Sequence, residues 1–153
     1  MKLRSKREIL LMKGQSVGPA RGSLFVVGGG ARPLMGRFLE MAGGEDSAIV
    51  VIPTAGGEKE YDENWTGLRL FREAGAKDVK VLHTLDRDVA DSGEFVKLIE
   101  DAKGVWIGGG RQWRLADSYL NTRTHRALWD LLDRGGIIGG SSAGATIQGS
   151  YLA

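Results

Sequence analysis

Five short apolar runs recur along the chain, each separated from the next by a stretch of helical period, and this alternation constrains the fold more than any other feature. Residues 24–27, 48–52, 79–82, 105–107 and 137–138 are rich in Val, Ile and Leu and short enough for buried strands. Four of the five stop at once against glycine or proline, at Gly28, Pro53, Gly108 and Gly139. After the first run, Leu34, Phe38 and Met41 fall at helical spacing, and Gly43 with Gly44 closes that helix. Tyr61, Trp65, Leu68 and Phe71 form a second helical stripe, with Arg72 in its last turn and Gly75 just beyond. Asp91 and Glu94 stand as a capping box ahead of Phe95, Leu98, Ile99 and Ala102. A helical stretch through residues 115–119 comes next, then one with Leu128, Leu131 and Leu132 inward that ends at Gly135 and Gly136. Such an alternation predicts an α/β fold: a doubly wound, mainly parallel sheet of about five strands, helices on both faces and right-handed crossovers.

The length of 153 residues suits one domain. Glycine, at 24 residues, is about twice its usual share, yet 42% of the chain is apolar and only three residues are proline. Collagen and disorder are thereby excluded, and the glycines read as tight turns between regular elements. Without an internal linker or a solenoid period, residues 23–153 read as a single domain. Cysteine is absent, which excludes a disulfide scaffold, a thiol nucleophile and thiolate-bound zinc. With His83 and His125 as the only histidines, a polyhistidine metal site is not expected either, and no cofactor is called for. Residues 1–22 carry six basic side chains against Glu8, a net of +5, whereas the remainder has 15 basic against 18 acidic, a net of −3. That basic stretch reads as a solvated, flexible leader rather than an arm for nucleic acid or membrane. The apolar run 9–12 falls short of the roughly 7–15 residues of a signal-peptide core, and no run approaches the roughly 18 of a membrane span. The expected setting is cytoplasmic, with no nucleic-acid and no membrane partner.

Ligands of doubly wound sheets bind beyond the carboxyl ends of the strands, and the unusual residues concentrate there, at 28–30, 53–57, 83, 108–112 and 140–144. The run Gly28-Gly29-Gly30-Ala31-Arg32-Pro33 approaches a dinucleotide fingerprint, but Pro33 replaces its third glycine and no acidic residue closes the second strand. A plain strand-to-helix turn is the better reading. Gly140-Ser141-Ser142-Ala143-Gly144 has the form G-x-S-x-G between a strand and a new helical segment. On such a strained turn Ser142 exposes its hydroxyl, the Ala143 N–H points where an oxyanion forms, and the helix N-terminus adds positive potential. The alternatives are a phosphate-binding loop and a plain N-cap turn. Gly108-Gly109-Gly110-Arg111-Gln112 ends the preceding strand, where glycines let N–H groups approach a ligand and supply a second oxyanion donor, or simply turn the chain. Neighbouring strands would bring both loops to one rim.

Taken in order, a strand, GGGRQWRL at 108–115, a helix and GGSSAGA at 139–145 resemble the cyanophycinase and aspartyl dipeptidase family of serine exopeptidases. Its fold is similar to that of class I glutamine amidotransferases. The likeness extends to residues 24–30, the Ile52-Pro53-Thr54-Ala55 strand end and residues 82–87, and so covers roughly 23–153. It implies Ser142 as nucleophile, Ala143 with Gly109 or Gly110 as the oxyanion hole, and Gln112 and Arg114 at the substrate. Gln112 and Arg114 also favour the cyanophycinase branch, since the dipeptidases prefer Asn-Thr after the glycines. The implied activity is hydrolysis of aspartyl peptide bonds of β-Asp-Arg type in a peptide or cyanophycin-like substrate, without a metal. In the family the catalytic histidine and acid follow the nucleophile, over about as many residues again. This chain stops at Ala153, eleven residues after Ser142, so a C-terminally truncated domain is expected, lacking base and acid at the family positions. An unfinished sheet edge of that kind predicts a homodimer.

If the strand order follows flavodoxin, His83 at the end of the third strand lies two strands from Ser142, about 9–10 Å. His125, in the first turn of a helix and near its buried stripe, reads as a packed or capping histidine. Asp62, Glu63, Asp86, Asp88 and Asp91 read as solvated loop charges, the alternative being recognition of an arginine-bearing substrate. Trp65, Trp106, Trp113 and Trp129 read as core or rim packing. A different class of function fits the same loops: a non-catalytic binding module, or an inactive fragment, that holds a small anionic ligand.

Overall fold

The apolar runs pair side by side. In the computed structural model, which describes residues 18–149, one wholly parallel sheet is built from Ser23–Val27 (β1), Ile49–Ile52 (β2), Val79–Val81 (β3), Gly104–Ile107 (β4) and Ile137–Ser141 (β5). Its order is β1-β5-β4-β2-β3. The helices are Met35–Met41 (α1), Arg69–Glu73 (α2), Arg87–Ala90 (α3), Gly93–Asp101 (α4), Gln112–Tyr119 (α5), Arg123–Asp133 (α6) and Ala143–Thr146 (α7). Most of the basic leader read from the sequence lies outside the described residues.

Successive strand residues face opposite sides of a sheet, and here both sides are covered. Ile49, Val51, Trp106 and Ile137 point into a core shared with Met35 and Phe38 of α1 and Phe71 of α2. Val50, Ile52, Val105, Ile107 and Ile138 point into a second core with Val96 and Ile99 of α4, Leu115 of α5 and Leu131 of α6. The doubly wound expectation is met. Phe25, Phe38, Phe71 and Trp106 form an aromatic cluster with centroids 5.2–6.3 Å apart, a spacing typical of attractive ring pairs. Gly139 makes room for it, because a Cβ there would lie 2.6 Å from Trp106 Cε3 and 2.8 Å from Phe38 Cε2.

Three local expectations are corrected. The stripe Tyr61–Trp65–Leu68–Phe71 is not one helix. A 3-10 turn at Thr66–Leu68 precedes the five-residue α2, and the Asp62 carboxylate caps a turn by accepting from Asn64 N at 2.8 Å. The Trp65 ring folds back over Gly67, where a Cβ would meet it at 2.1 Å, instead of lying along a helix face. The cap of α4 is Ser92, whose Oγ accepts from Phe95 N at 3.2 Å, while the Asp91 carboxylate accepts from Arg123 N at 2.7 Å and ties down the start of α6. Third, the order places β3 three strands from β5, one step further than flavodoxin order gives.

Candidate functional site

At the carboxyl end of β5 the chain turns sharply on Ser142, with φ 52° and ψ −115°, before α7 begins. Among the described non-glycine residues only Ser142 and Asn121 have positive φ. Such a backbone costs on the order of 1–3 kcal/mol and persists where the surroundings over-determine it. They do so here. Ser142 N donates to Val27 O at 3.1 Å and Gly28 O at 3.2 Å, and its own carbonyl accepts from Ala145 N and Thr146 N, both at 3.0 Å. The flanking glycines have a steric reason: a Cβ on Gly144 would sit 1.9 Å from Ile107 O, and one on Gly140 would sit 2.3 Å from Gly144 O. Only without those carbons can α7 cross the ends of β4 and β5 so closely, leaving the Ser142 side chain exposed at the rim.

Because β4 and β5 are neighbours, the glycine loop after β4 lies beside that serine. A Cβ on Gly109 would sit 3.4 Å from Ser142 Cβ and 3.9 Å from Ser142 Oγ. Gly108 N continues the ladder to Ile52 O at 2.9 Å, and Arg111 N donates to Ala55 O at 2.8 Å. Between them, the N–H groups of Gly109 and Gly110, like that of Ala143, have no acceptor among the described residues. Gln112 opens α5 and is partly exposed. Arg114 turns elsewhere: its Nη1 donates to Ala55 O at 3.1 Å and to Gly56 O at 2.8 Å.

The two histidines are held by other partners. At three strand spacings, roughly 14 Å, His83 and Ser142 are not brought together. His83 belongs to a buried polar chain in which Thr84 N donates to Tyr119 Oη at 3.2 Å, and Thr54 Oγ1 lies 2.6 Å from Tyr119 Oη and 2.9 Å from His83 Nδ1. With Tyr119 donating to Thr54 and Thr54 to Nδ1, the imidazole proton stays on Nε2, which is buried without a hydrogen bond of good geometry and is met only weakly by the Lys59 and Glu58 backbone. Burial holds this imidazole below its ordinary pKa, with the Lys59 and Glu58 backbone partly offsetting that. Burial likewise raises the Tyr119 phenol. Beside His83 a cleft of about 450 Å³ opens, its walls including Glu60, Asp62 and Asp86. His125 faces its own helix: Asn121 N donates to Nδ1 at 3.3 Å and Trp129 Nε1 approaches Nε2 at 3.2 Å, although a neutral imidazole accepts at only one nitrogen.

Thr54 and Tyr119 escaped the sequence reading as the buried partners that hold His83, one hidden in a strand end and the other in a helical stripe. Of the tryptophans, Trp106 is core and Trp65 packs edge-on to Tyr61, whereas Trp113 and Trp129 are both 56% exposed. Among the described residues no group of three or more His, Asp or Glu side chains is arranged to hold a metal ion, and no helix is long and apolar enough to cross a membrane.

Comparison with known proteins adds to this geometry. Residues 24–153 match the family model of peptidase family S51. A cyanophycinase of Geminocystis herdmanii is 30% identical over 138 residues, which are 86% of this chain and 50% of that protein. A crystal structure of a peptidase from an acI-B1 actinobacterium is 31% identical, with a TM-score of 0.67 over 82% of this chain and 55% of its own. Another, from Listeria monocytogenes, is 21% identical with a TM-score of 0.63 over 82% of this chain and 61% of its own, and shares the fold. The chain thus spans about half the length of the curated relatives it matches.

Proposed function

The chain belongs to peptidase family S51, and from that premise we propose that it carries the nucleophile and oxyanion side of a serine peptidase acting on aspartyl peptide bonds of β-Asp-Arg type. One observation supports this above the others. Ser142 sits at φ 52° on a strand-to-helix turn, with the unengaged amide of Ala143 next to it in sequence, Gly109 packed against it, and the amides of Gly109 and Gly110 also unengaged.

In this scheme Ser142 Oγ attacks the scissile carbonyl carbon as its proton passes to a base. The carbonyl electron pair moves onto oxygen, where the N–H groups of Ala143 and of Gly109 or Gly110 stabilise the charge. On collapse the base returns that proton to the leaving nitrogen, the C–N bond breaks to release the amine, and the acyl-serine left behind is hydrolysed by water. Losing one oxyanion donor typically costs roughly 10²–10³ in turnover. Gln112, at the first turn of α5, faces the substrate. The aspartyl preference rests on the likeness to cyanophycinases and on the GGGRQ loop. A base must come within about 3 Å of Oγ. His83 is three strands away and His125 is turned to Asn121 and Trp129. On the described residues alone turnover is therefore slow, nearer the roughly 10³–10⁴ over water that triad enzymes keep without a working triad.

A fluorophosphonate probe with peptide mapping tests this. Labelling at Ser142 of the folded protein, absent after Ser142→Ala and after heat denaturation, supports an activated serine. If the folded protein does not label, that idea is lost and the binding-module reading gains. Its positive sign is thermal stabilisation by phosphate or a nucleotide, unchanged in Ser142→Ala.

A further inference from the structure

The Arg114 guanidinium is built into the wall of the rim. Besides its bonds to Ala55 O at 3.1 Å and Gly56 O at 2.8 Å, its Cζ lies 5.2 Å from the Trp113 ring centroid. It also lies against Gly57, where a Cβ would come within 2.1 Å of Nη1 and 2.2 Å of Cζ. Gly57 has φ 83°, a backbone that favours glycine, and an added Cβ there would have to displace the guanidinium from its seat.

The two carbonyls belong to the 3-10 turn Thr54–Gly56 that ends β2. The Ala55 carbonyl is a shared acceptor, since it also receives Arg111 N at 2.8 Å. Gly110, at φ 139°, passes so near that a Cβ would be 2.1 Å from the same oxygen. The far end of α5 holds this turn too, through Tyr119 Oη and Thr54 Oγ1 at 2.6 Å. One helix therefore holds the turn from both of its ends, and the turn fixes Gly110 and Arg111. Gly109, one residue earlier, is the residue against Ser142.

We propose that Arg114 is a positioning residue: by clamping the Ala55 and Gly56 carbonyls it fixes the 108–111 loop, and thereby aims the Gly109 and Gly110 N–H groups at the space beside Ser142. Its catalytic consequence rests on the serine-peptidase reading, whereas the clamp itself does not. This role departs from direct substrate contact, the one the sequence resemblance implies. Lysine is only a partial substitute: both bonds leave the single Nη1, which an ammonium can imitate, but an ammonium lacks the planar face that lies against Gly57 and the Trp113 indole. A catalytic group misplaced by about 1 Å loses on the order of 10²-fold.

The test compares Arg114→Met, Arg114→Lys and Gly57→Ala, the last keeping the arginine but filling its seat. Two quantities are read: amide hydrogen exchange at Arg111, and fluorophosphonate labelling of Ser142 resolved into kinact and KI. In Arg114→Met and Gly57→Ala, Arg111 exchange should accelerate about tenfold, as for one lost hydrogen bond, with the β2 and β4 amides unchanged. The kinact should fall roughly 10–100-fold with KI held within about twofold, and Arg114→Lys should fall between. Unchanged exchange at Arg111 in a folded Arg114→Met would overturn the clamp. A raised KI with kinact intact would overturn it too, in favour of substrate contact. Should wild type fail to label, the serine-peptidase reading falls, while exchange at Arg111 still decides the clamp. Gly57→Ala and Arg114→Lys decide it if Arg114→Met does not fold.

Discussion

Replacing Gly144 by alanine perturbs the turn around Ser142 without altering the serine. The added carbon would lie 1.9 Å from Ile107 O, 2.6 Å from Ile107 C and 3.0 Å from Gly108 O. Close carbon–oxygen contacts normally stop at about 3.3 Å, so α7 must lift from β4 by more than an ångström. All three atoms are backbone of a central strand and its loop, and no change of rotamer relieves them. Overpacking costs about 1–3 kcal/mol in general, and the rigid partner places this site near the upper figure. In a chain of this size each kcal/mol moves Tm by roughly 2–4 °C, which gives a loss of about 6–12 °C. Lifting α7 also carries Ser142 away from Gly109, so labelling by a fluorophosphonate should slow on the order of 10²-fold. Gly28→Ala is the control. It lies on the same rim, has no positive φ and no atom within 4 Å of the added carbon, so its stability should stay within about 0.5 kcal/mol. Thermal melts and labelling kinetics on the two variants are enough. A Gly144→Ala protein that melts and labels like wild type would refute the close crossing of α7 over β4.

Two further substitutions probe other parts of the fold. His83, held below its ordinary pKa chiefly by burial, binds its proton less readily folded than unfolded. Its contribution to stability is intact above the unfolded value of about 6.5 and is lost as pH falls through the lower folded value. Melts between about pH 7.5 and pH 5 should therefore decline less steeply in His83→Asn, and equal slopes would remove His83 as the cause. Gly36, exposed near the start of α1 with nothing within 4 Å of an added Cβ, should gain about 0.5–1 kcal/mol as alanine. A lowered urea midpoint would show that this face of α1 is covered.

Central strands are buried on both faces, so β2 and β4 were legible as unbroken apolar runs, and their glycine and proline stops marked the rim. Strand order was not, because it depends on which edge each crossover returns to, and nothing local to residues 79–81 records that β3 lies outside β2. The stripe from Trp65 to Phe71 found residues that do pack in one core, but spacing alone could not reveal the Trp65 ring lying on Gly67. At α4 two adjacent capping side chains competed, and the distant Arg123 N–H took Asp91. In the site, Ser142 and the two glycine loops were legible because strain and close approach restrict residue type. The Thr54–His83–Tyr119 chain joins residues up to 65 apart, and Arg114 reaches back 58 or 59 positions to its carbonyls. Contacts of that range leave no period or spacing in a sequence.

Glycine content locates the site only once it is divided by physical cause. Gly43, Gly75 and Gly135 have positive φ and close helices, a common way for helices to end in any fold. An added Cβ at Gly28 or Gly29 meets nothing within 4 Å and neither needs a left-handed backbone, so in the loop that resembles a dinucleotide fingerprint these two positions do not require glycine, although the Gly28 carbonyl accepts from Ser142 N at 3.2 Å. Gly110, Gly140 and Gly144 are different, each sitting where a Cβ would lie 1.9–2.3 Å from a carbonyl oxygen of another segment. These three tie the ends of β2, β4 and β5 together through backbone contacts that cannot relax by side-chain motion. A rim built in this way is rigid for the same reason that it is glycine-rich. That rigidity allows Ser142 to be held in a conformation its own backbone disfavours, beside amides that have no partner within the described fold.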